Sequence, residues 1–176
     1  MPTTTISMQE YLESSNFHPD VEYIDGMLRE RPVVQPVHGL LQLLIGKWFL
    51  DHRAEWDVKA AVEVRTRVSA TRVRLPDVVV GPRRAWPPVL VEPPLIVIEI
   101  LSPSDSYTET RKLAREYIEM GVENIWLIDP ETRVSEFYRA GAWVPAQRLE
   151  VAGSAIYLDM DVIFAQLDED NQRQGS

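Results

Sequence analysis

Apolar positions along this chain follow two different periods, and each period predicts its own kind of element. Between Val37 and Asp51, Leu40, Leu41, Leu44, Ile45, Trp48 and Phe49 recur at i, i+3, i+4, i+7 and i+8 spacing, which predicts an amphipathic helix with one packed face. Residues 7 to 15 predict a shorter helix, opened by Ser7 with Glu10 at capping-box spacing. Val21 to Ile24 and Met27 to Glu30 flank Asp25-Gly26, a two-residue hairpin signal. From Ala60 to Val68 the period drops to two: Ala61, Glu63, Arg65 and Arg67 alternate with Val62, Val64, Thr66 and Val68, as in a half-solvated strand.

The centre of the chain is more apolar. Val73 to Val80 and Pro94 to Leu101 carry the unbroken runs Val78-Val79-Val80 and Leu95-Ile96-Val97-Ile98, the pattern of strands covered on both faces. Between them, Gly81 to Pro93 holds Pro82, Pro87, Pro88 and Pro93 and predicts an irregular loop. Ser106 to Met120 predicts a helix stopped by Gly121. Asn124 to Ile128 predicts another buried strand, ended by Asp129-Pro130-Glu131-Thr132. Val134 to Tyr138 and Trp143-Val144 predict a hairpin around Ala140-Gly141, and Asp161 to Leu167 a last short helix. With no internal repeat and no linker, the expectation is one α/β domain over residues 1–167, followed by a polar, disordered tail over 168–176. Its layered solution is a mixed central sheet flanked by helices, with an N-terminal helix and hairpin.

Composition narrows the chemistry. A chain of 176 residues with 45% hydrophobic content buries a real core. The absence of cysteine excludes a disulfide scaffold, a thiolate zinc site and a cysteine nucleophile. Neither a signal peptide at Met1-Pro2-Thr3-Thr4-Thr5 nor an apolar run of membrane-spanning length is present, so a cytoplasmic protein without a membrane partner is expected. The net charge of −9 argues against non-specific nucleic-acid binding through bulk charge. Between residues 59 and 84 that charge reverses locally: Lys59, Arg65, Arg67, Arg72, Arg74, Arg83 and Arg84 face only Glu63 and Asp77, a balance of +5. This run reads either as a solvated strand face or as a phosphate-facing patch, with Arg65, Arg67, Arg72 and Arg74 as its nucleic-acid-binding candidates.

Nucleophilic catalysis finds little support. The histidines are His18, His38 and His52, no serine sits in a Gly-x-Ser-x-Gly turn, and there is no glycine-rich phosphate loop. What remains is carboxylates in apolar surroundings. Glu99 interrupts the most apolar strand of the chain, where an ionised carboxylate costs several kcal/mol unless paired or bound to a cation. It is either a strand-end acid reaching solvent or a ligand or general base. Pro76-Asp77 leads into Val78-Val79-Val80 and taken alone is only a turn. On adjacent strands and one face, the two acids would make an oxygen site suited to Mg2+.

Taken together, Leu75-Pro76-Asp77-Val78-Val79-Val80, Val97-Ile98-Glu99-Ile100-Leu101-Ser102-Pro103-Ser104, Lys112 with Tyr117 and Gly121-Val122, and Trp126-Leu127-Ile128-Asp129-Pro130 resemble the Uma family of restriction-endonuclease-like proteins, within the PD-(D/E)XK nuclease superfamily. Glu22-Tyr23-Ile24-Asp25-Gly26 and His38 match its N-terminal pattern, and the resemblance covers about residues 7 to 165. It implies a restriction-endonuclease-like fold and a Mg2+- or Mn2+-dependent endonuclease acting on DNA. Asp77, Glu99 and the Ile100 carbonyl would be metal ligands, Lys112 the superfamily lysine, Glu22 a supplementary acid, and His38 a contact to phosphate or water. A homodimer is expected by analogy with small nucleases that cut both strands.

Several residue readings stay open beside it. The superfamily lysine stands two residues after the glutamate, where this chain has Leu101. On the following helix, Leu113, Ala114, Tyr117, Ile118 and Met120 define the apolar stripe, and Lys112 falls roughly opposite, as a solvent-facing lysine would. Glu22 reads equally as an exposed hairpin carboxylate. His38 reads as a hydrogen-bonded structural histidine whose protonation the helix dipole disfavours. Trp126 and Tyr117 read as core. The alternative function is a non-catalytic interaction or nucleic-acid-binding module on a degenerate nuclease fold. A two-carboxylate glycosidase fits poorly, since no aromatic-lined sugar groove is evident.

Overall fold

The structure is a computed structural model that describes residues 5–14, 21–31, 35–103 and 105–172. The chain begins with α1 (Met8–Glu13), closed by a capping box in which the Ser7 hydroxyl accepts from the Glu10 N–H and the Glu10 carboxylate accepts from the Ser7 N–H. The hairpin of β1 (Val21–Ile24) and β2 (Met27–Glu30) turns at Asp25 and Gly26, both left-handed at φ 51 and 92°. Then come α2 (Pro36–Asp51), the single turn α3 (Arg53–Trp56), and the strands β3 (Val58–Val62), β4 (Thr66–Ser69), β5 (Arg72–Arg74), β6 (Val78–Pro82) and β7 (Ile96–Ile100). Helix α4 (Tyr107–Met120) stops at Gly121 in the left-handed conformation expected of a C-terminal cap. β8 (Asn124–Asp129), β9 (Val134–Arg139), β10 (Ala142–Pro145), β11 (Arg148–Glu150), β12 (Tyr157–Asp159) and α5 (Met160–Gln172) complete the chain.

The central sheet is mixed, in the order β10-β9-β8-β7-β6-β3, with β7 and β8 parallel and the other neighbours antiparallel. A parallel pair needs a crossover, and α4 supplies it. Alternating side chains divide the core between the two faces. Val78, Val80, Ile96, Ile98, Ile100, Trp126 and Ile128 pack with α2 and α5, whereas Val97 and Ile125 meet Ala114 and Tyr117 of α4. A second, antiparallel sheet, β2-β1-β5-β4, carries the N-terminal hairpin, and β11 pairs with β12.

Two strands expected as single runs are each divided between the sheets. The stretch from Ala60 to Val68 breaks at Glu63, which adopts φ 53° and donates its N–H to the Pro76 carbonyl at 3.1 Å. The stretch from Val73 to Val80 breaks at Pro76, which has no N–H to give a ladder. Asp77 therefore lies at a junction between sheets. The C-terminal helix runs beyond the expected Leu167 through Gln172, and Arg133 pairs with Asp168 where a disordered tail was expected to begin. No helix among the described residues is long and apolar enough to cross a membrane.

Candidate active site

The antiparallel register of β6 and β7 pairs Val78 with Ile98, so Asp77, the residue before β6, comes beside Glu99 of β7. The pleat that buries Ile98 and Ile100 against α2 and α5 turns Glu99 the other way. There Tyr117 donates its hydroxyl to Glu99 Oε1 at 2.6 Å. Asp77 is gripped from several sides. The Ile100 N–H donates to its Oδ2 at 2.7 Å, and Arg31 Nη2 donates to its Oδ1 at 2.5 Å. Gln42 donates to its carbonyl at 3.2 Å. His38, in the first turn of α2, places Nε2 3.2 Å from both Asp77 Oδ2 and the Ile100 carbonyl. Both partners are acceptors, so Nε2 carries the hydrogen.

Both acids are buried, at 2% exposure for Asp77 and 6% for Glu99, yet their carboxyls move in opposite directions. Burial raises the Asp77 pKa, but the bond and charge of His38, Arg31 and the Ile100 N–H outweigh it and leave it below the ordinary range. Burial also raises Glu99, and there the Asp77 charge adds to it, so the carboxyl is pushed well above the ordinary range despite Tyr117 and Arg31. Burial opposes charge on His38, but its bond to Asp77 wins and raises its pKa, which corrects the expectation that the helix dipole would dominate. Burial and the neighbouring Glu99 charge push the Tyr117 hydroxyl well up.

The donor set suits a hard divalent cation. Two carboxylates and the Ile100 carbonyl offer oxygen donors, and a cation between the acids would offset the burial and the Asp77 charge that raise Glu99. Among the described residues no three histidine and acid side chains gather as a metal-holding group, so a cation there would rely on the backbone carbonyl and water besides the pair.

Comparison with known proteins agrees with this architecture. The family model of Uma2, described as "Putative restriction endonuclease", matches residues 8–158. The chain belongs to the Uma2 family. A crystal structure of "a putative nuclease belonging to DUF820" from Anabaena variabilis ATCC 29413 superposes with a TM-score of 0.74 at 23% identity, covering 92% of this chain and 99% of that one. It shares the fold. A cryo-electron-microscopy structure of a DrdV–DNA complex overlaps 76% of this chain and 13% of its own at 14% identity, with a TM-score of 0.41. No curated protein matches. Membership of the Uma2 family makes the chain nuclease-like.

The other Uma2-type candidates fall in different places. Glu22 is not an exposed hairpin acid: it is buried beside Arg74, whose Nη1 donates to its Oε2 at 2.8 Å. Lys112 is on the solvent side of α4, its Nζ 2.6 Å from Glu109, with the side chain 60% exposed. The helix turns Thr110, Ala114 and Tyr117 inward, and that period carries Lys112 out, away from the superfamily lysine role. Arg72 and Arg74 do not face outward as free cations. Arg72 joins Asp25 and Glu116, and Arg74 joins Glu22 and Glu116 and is itself buried. Arg65 donates to the Ser14 carbonyl and lies over the Tyr11 ring, while Arg67 donates to the Ser69 carbonyl. Trp126 is core, as expected. The sequence reading missed Arg31, Gln42 and Glu116 altogether. It placed Tyr117 in the core without its bond to Glu99, although the apolar stripe ending on a hydroxyl beside a buried acid was the available signal.

Proposed function

We propose that this chain is a divalent-metal-dependent endonuclease that hydrolyses phosphodiester bonds in DNA. Asp77, Glu99 and the Ile100 carbonyl would hold Mg2+ or Mn2+. The observation carrying this reading is two buried acids beside one another where β6 begins and β7 ends, with Glu99 pushed towards neutrality by burial and by the Asp77 charge. A cation held there supplies Lewis acidity and neutralises charge on the phosphoryl oxygens. The chain's own residues set up the site. Tyr117 orients Glu99, the Ile100 N–H and His38 orient Asp77, and His38 also fixes the Ile100 carbonyl. Glu22 adds a negative charge that reaches Glu99 from the N-terminal hairpin. A symmetric pair of chains acting in the cytoplasm would deliver a cut to each strand.

One observation favours a second reading, a non-catalytic module on the same fold. Among the described residues no lysine is bonded to the pair, and Arg31 already neutralises Asp77. Incubating plasmid, linear and single-stranded DNA with Mg2+, with Mn2+ or with chelator decides between them. Cleavage that requires metal and disappears in Asp77→Asn is the expected result; DNA binding without cleavage in either metal assigns the module.

A further inference from the structure

Arg74 and Arg31 both approach buried acids, and they are bonded very differently. Arg74 uses Nε, Nη1 and Nη2, all on Glu22 and Glu116. Arg31 uses Nη2 alone, on Asp77 Oδ1, while its buried Nη1 makes no hydrogen bond and stands 3.3 Å from Glu63 Oε1. The Glu63 carboxylate lies nearer solvent than Asp77, with side-chain exposures of 34% and 2%. Arg31 thus straddles an inner acceptor within the acid pair and an outer acceptor at its rim. Its guanidinium takes up one oxygen of an Asp77 carboxylate whose other oxygen is already engaged by the Ile100 N–H and His38.

We propose that Arg31 is a built-in counter-cation that holds the acid pair in the metal-free protein and is displaced towards Glu63 when a divalent cation binds. This inference rests on the metal reading above and adds a competitor to it. A divalent cation drawn to Asp77 Oδ1 competes there with the Arg31 guanidinium, so the apparent metal affinity is the intrinsic one reduced by the fraction of molecules in which Arg31 has left. Metal binding in this chain is consequently weaker than the same oxygen ligands would give alone. The pair, in turn, is not left as two unscreened buried charges when metal is scarce.

Calorimetric titration of Mg2+ into the full chain tests this without reference to cleavage. Arg31→Gln should bind Mg2+ at least about tenfold more tightly than the unaltered protein. In the unaltered protein, the Arg31 side-chain N–H resonance should be protected from solvent exchange in chelator and lose that protection as Mg2+ saturates. The resonance keeps the test open should Arg31→Gln fail to fold. If the unaltered protein binds Mg2+ but Arg31→Gln binds it no more tightly, or the Arg31 resonance does not respond, the counter-cation role is overturned and the metal reading stands. If neither protein binds Mg2+ or Mn2+, the metal reading fails and takes the displacement with it.

Discussion

Two charge clusters, each built around a buried residue, lie close together in this molecule, and they are built on opposite principles. Around Arg74 each acid has a bonded cation: Glu22, Glu116 and Asp25 meet Arg72 and Arg74 through bonds that use every guanidinium nitrogen of Arg74. Around Asp77 the match fails. Arg31 and His38 bond Asp77, while Glu99 is bonded by a neutral hydroxyl, faces the Asp77 charge and feels Arg31 through charge alone. A satisfied cluster fixes how β1, β5 and α4 pack. The other leaves the buried Glu99 bonded by a hydroxyl and not by a cation, so incomplete compensation separates the candidate site from the framework.

The sharpest way to break this comparison is to remove the ligand that anchors the unsatisfied cluster. Asp77→Asn should lower metal-dependent cleavage by about a thousandfold, in line with losing a metal-held electrostatic clamp, as read from initial rates on plasmid DNA. Breaking the satisfied cluster should instead cost folding. Arg74→Met leaves Glu22 and Glu116 buried without their main partner and should lower unfolding stability by about 3 kcal/mol in a urea titration.

Much of this contrast was hidden from the sequence. Glu99 is legible because an acid between Leu95-Ile96-Val97-Ile98 and Ile100-Leu101 violates the local pattern, whereas Pro76-Asp77, leading into Val78-Val79-Val80, reads alone as a turn and gains weight only beside Glu99. The β7-α4-β8 crossover was legible too, from two apolar runs around a helix ended by Gly121. Arg31 was not, because it follows the hairpin in a polar stretch and meets Asp77 across 46 positions of sequence. The arginine run misled for the same reason: local counting cannot see that Glu116, on α4, comes back to neutralise Arg72 and Arg74. The strand break at Glu63 was equally obscure, since alternation continues across it while the chain changes sheet.

Smaller effects sharpen the comparison through pH. Burial raises the Glu116 carboxyl, but its bonds to Arg74 and Arg72 prevail and hold it below the ordinary value of 4.5. Its stabilisation is therefore complete above that value and is lost as pH falls through the depressed folded one. Glu116→Gln should cost about 2 kcal/mol at pH 7 and flatten the acid side of the stability profile. Glu99 carries the opposite sign. Its raised folded value means that metal-free stability falls as pH climbs above the ordinary carboxylate range. Glu99→Gln should then stabilise the metal-free protein by about 1 kcal/mol and remove that alkaline decline, both measured by thermal unfolding in chelator. Lys112→Ala sets the lower bound. Losing an exposed i,i+3 pair with Glu109 should change stability by less than about 0.5 kcal/mol, with cleavage rates unaltered.

The central claim is that Asp77 and Glu99 share a cation, and the electron paramagnetic resonance of Mn2+ counts it directly. Titrated into the unaltered protein, the free-ion signal should be suppressed up to a single equivalent per chain. Asp77→Asn should leave that signal undiminished while retaining a folded circular-dichroism spectrum. Equal Mn2+ uptake by the two proteins, or none by either, would contradict the account.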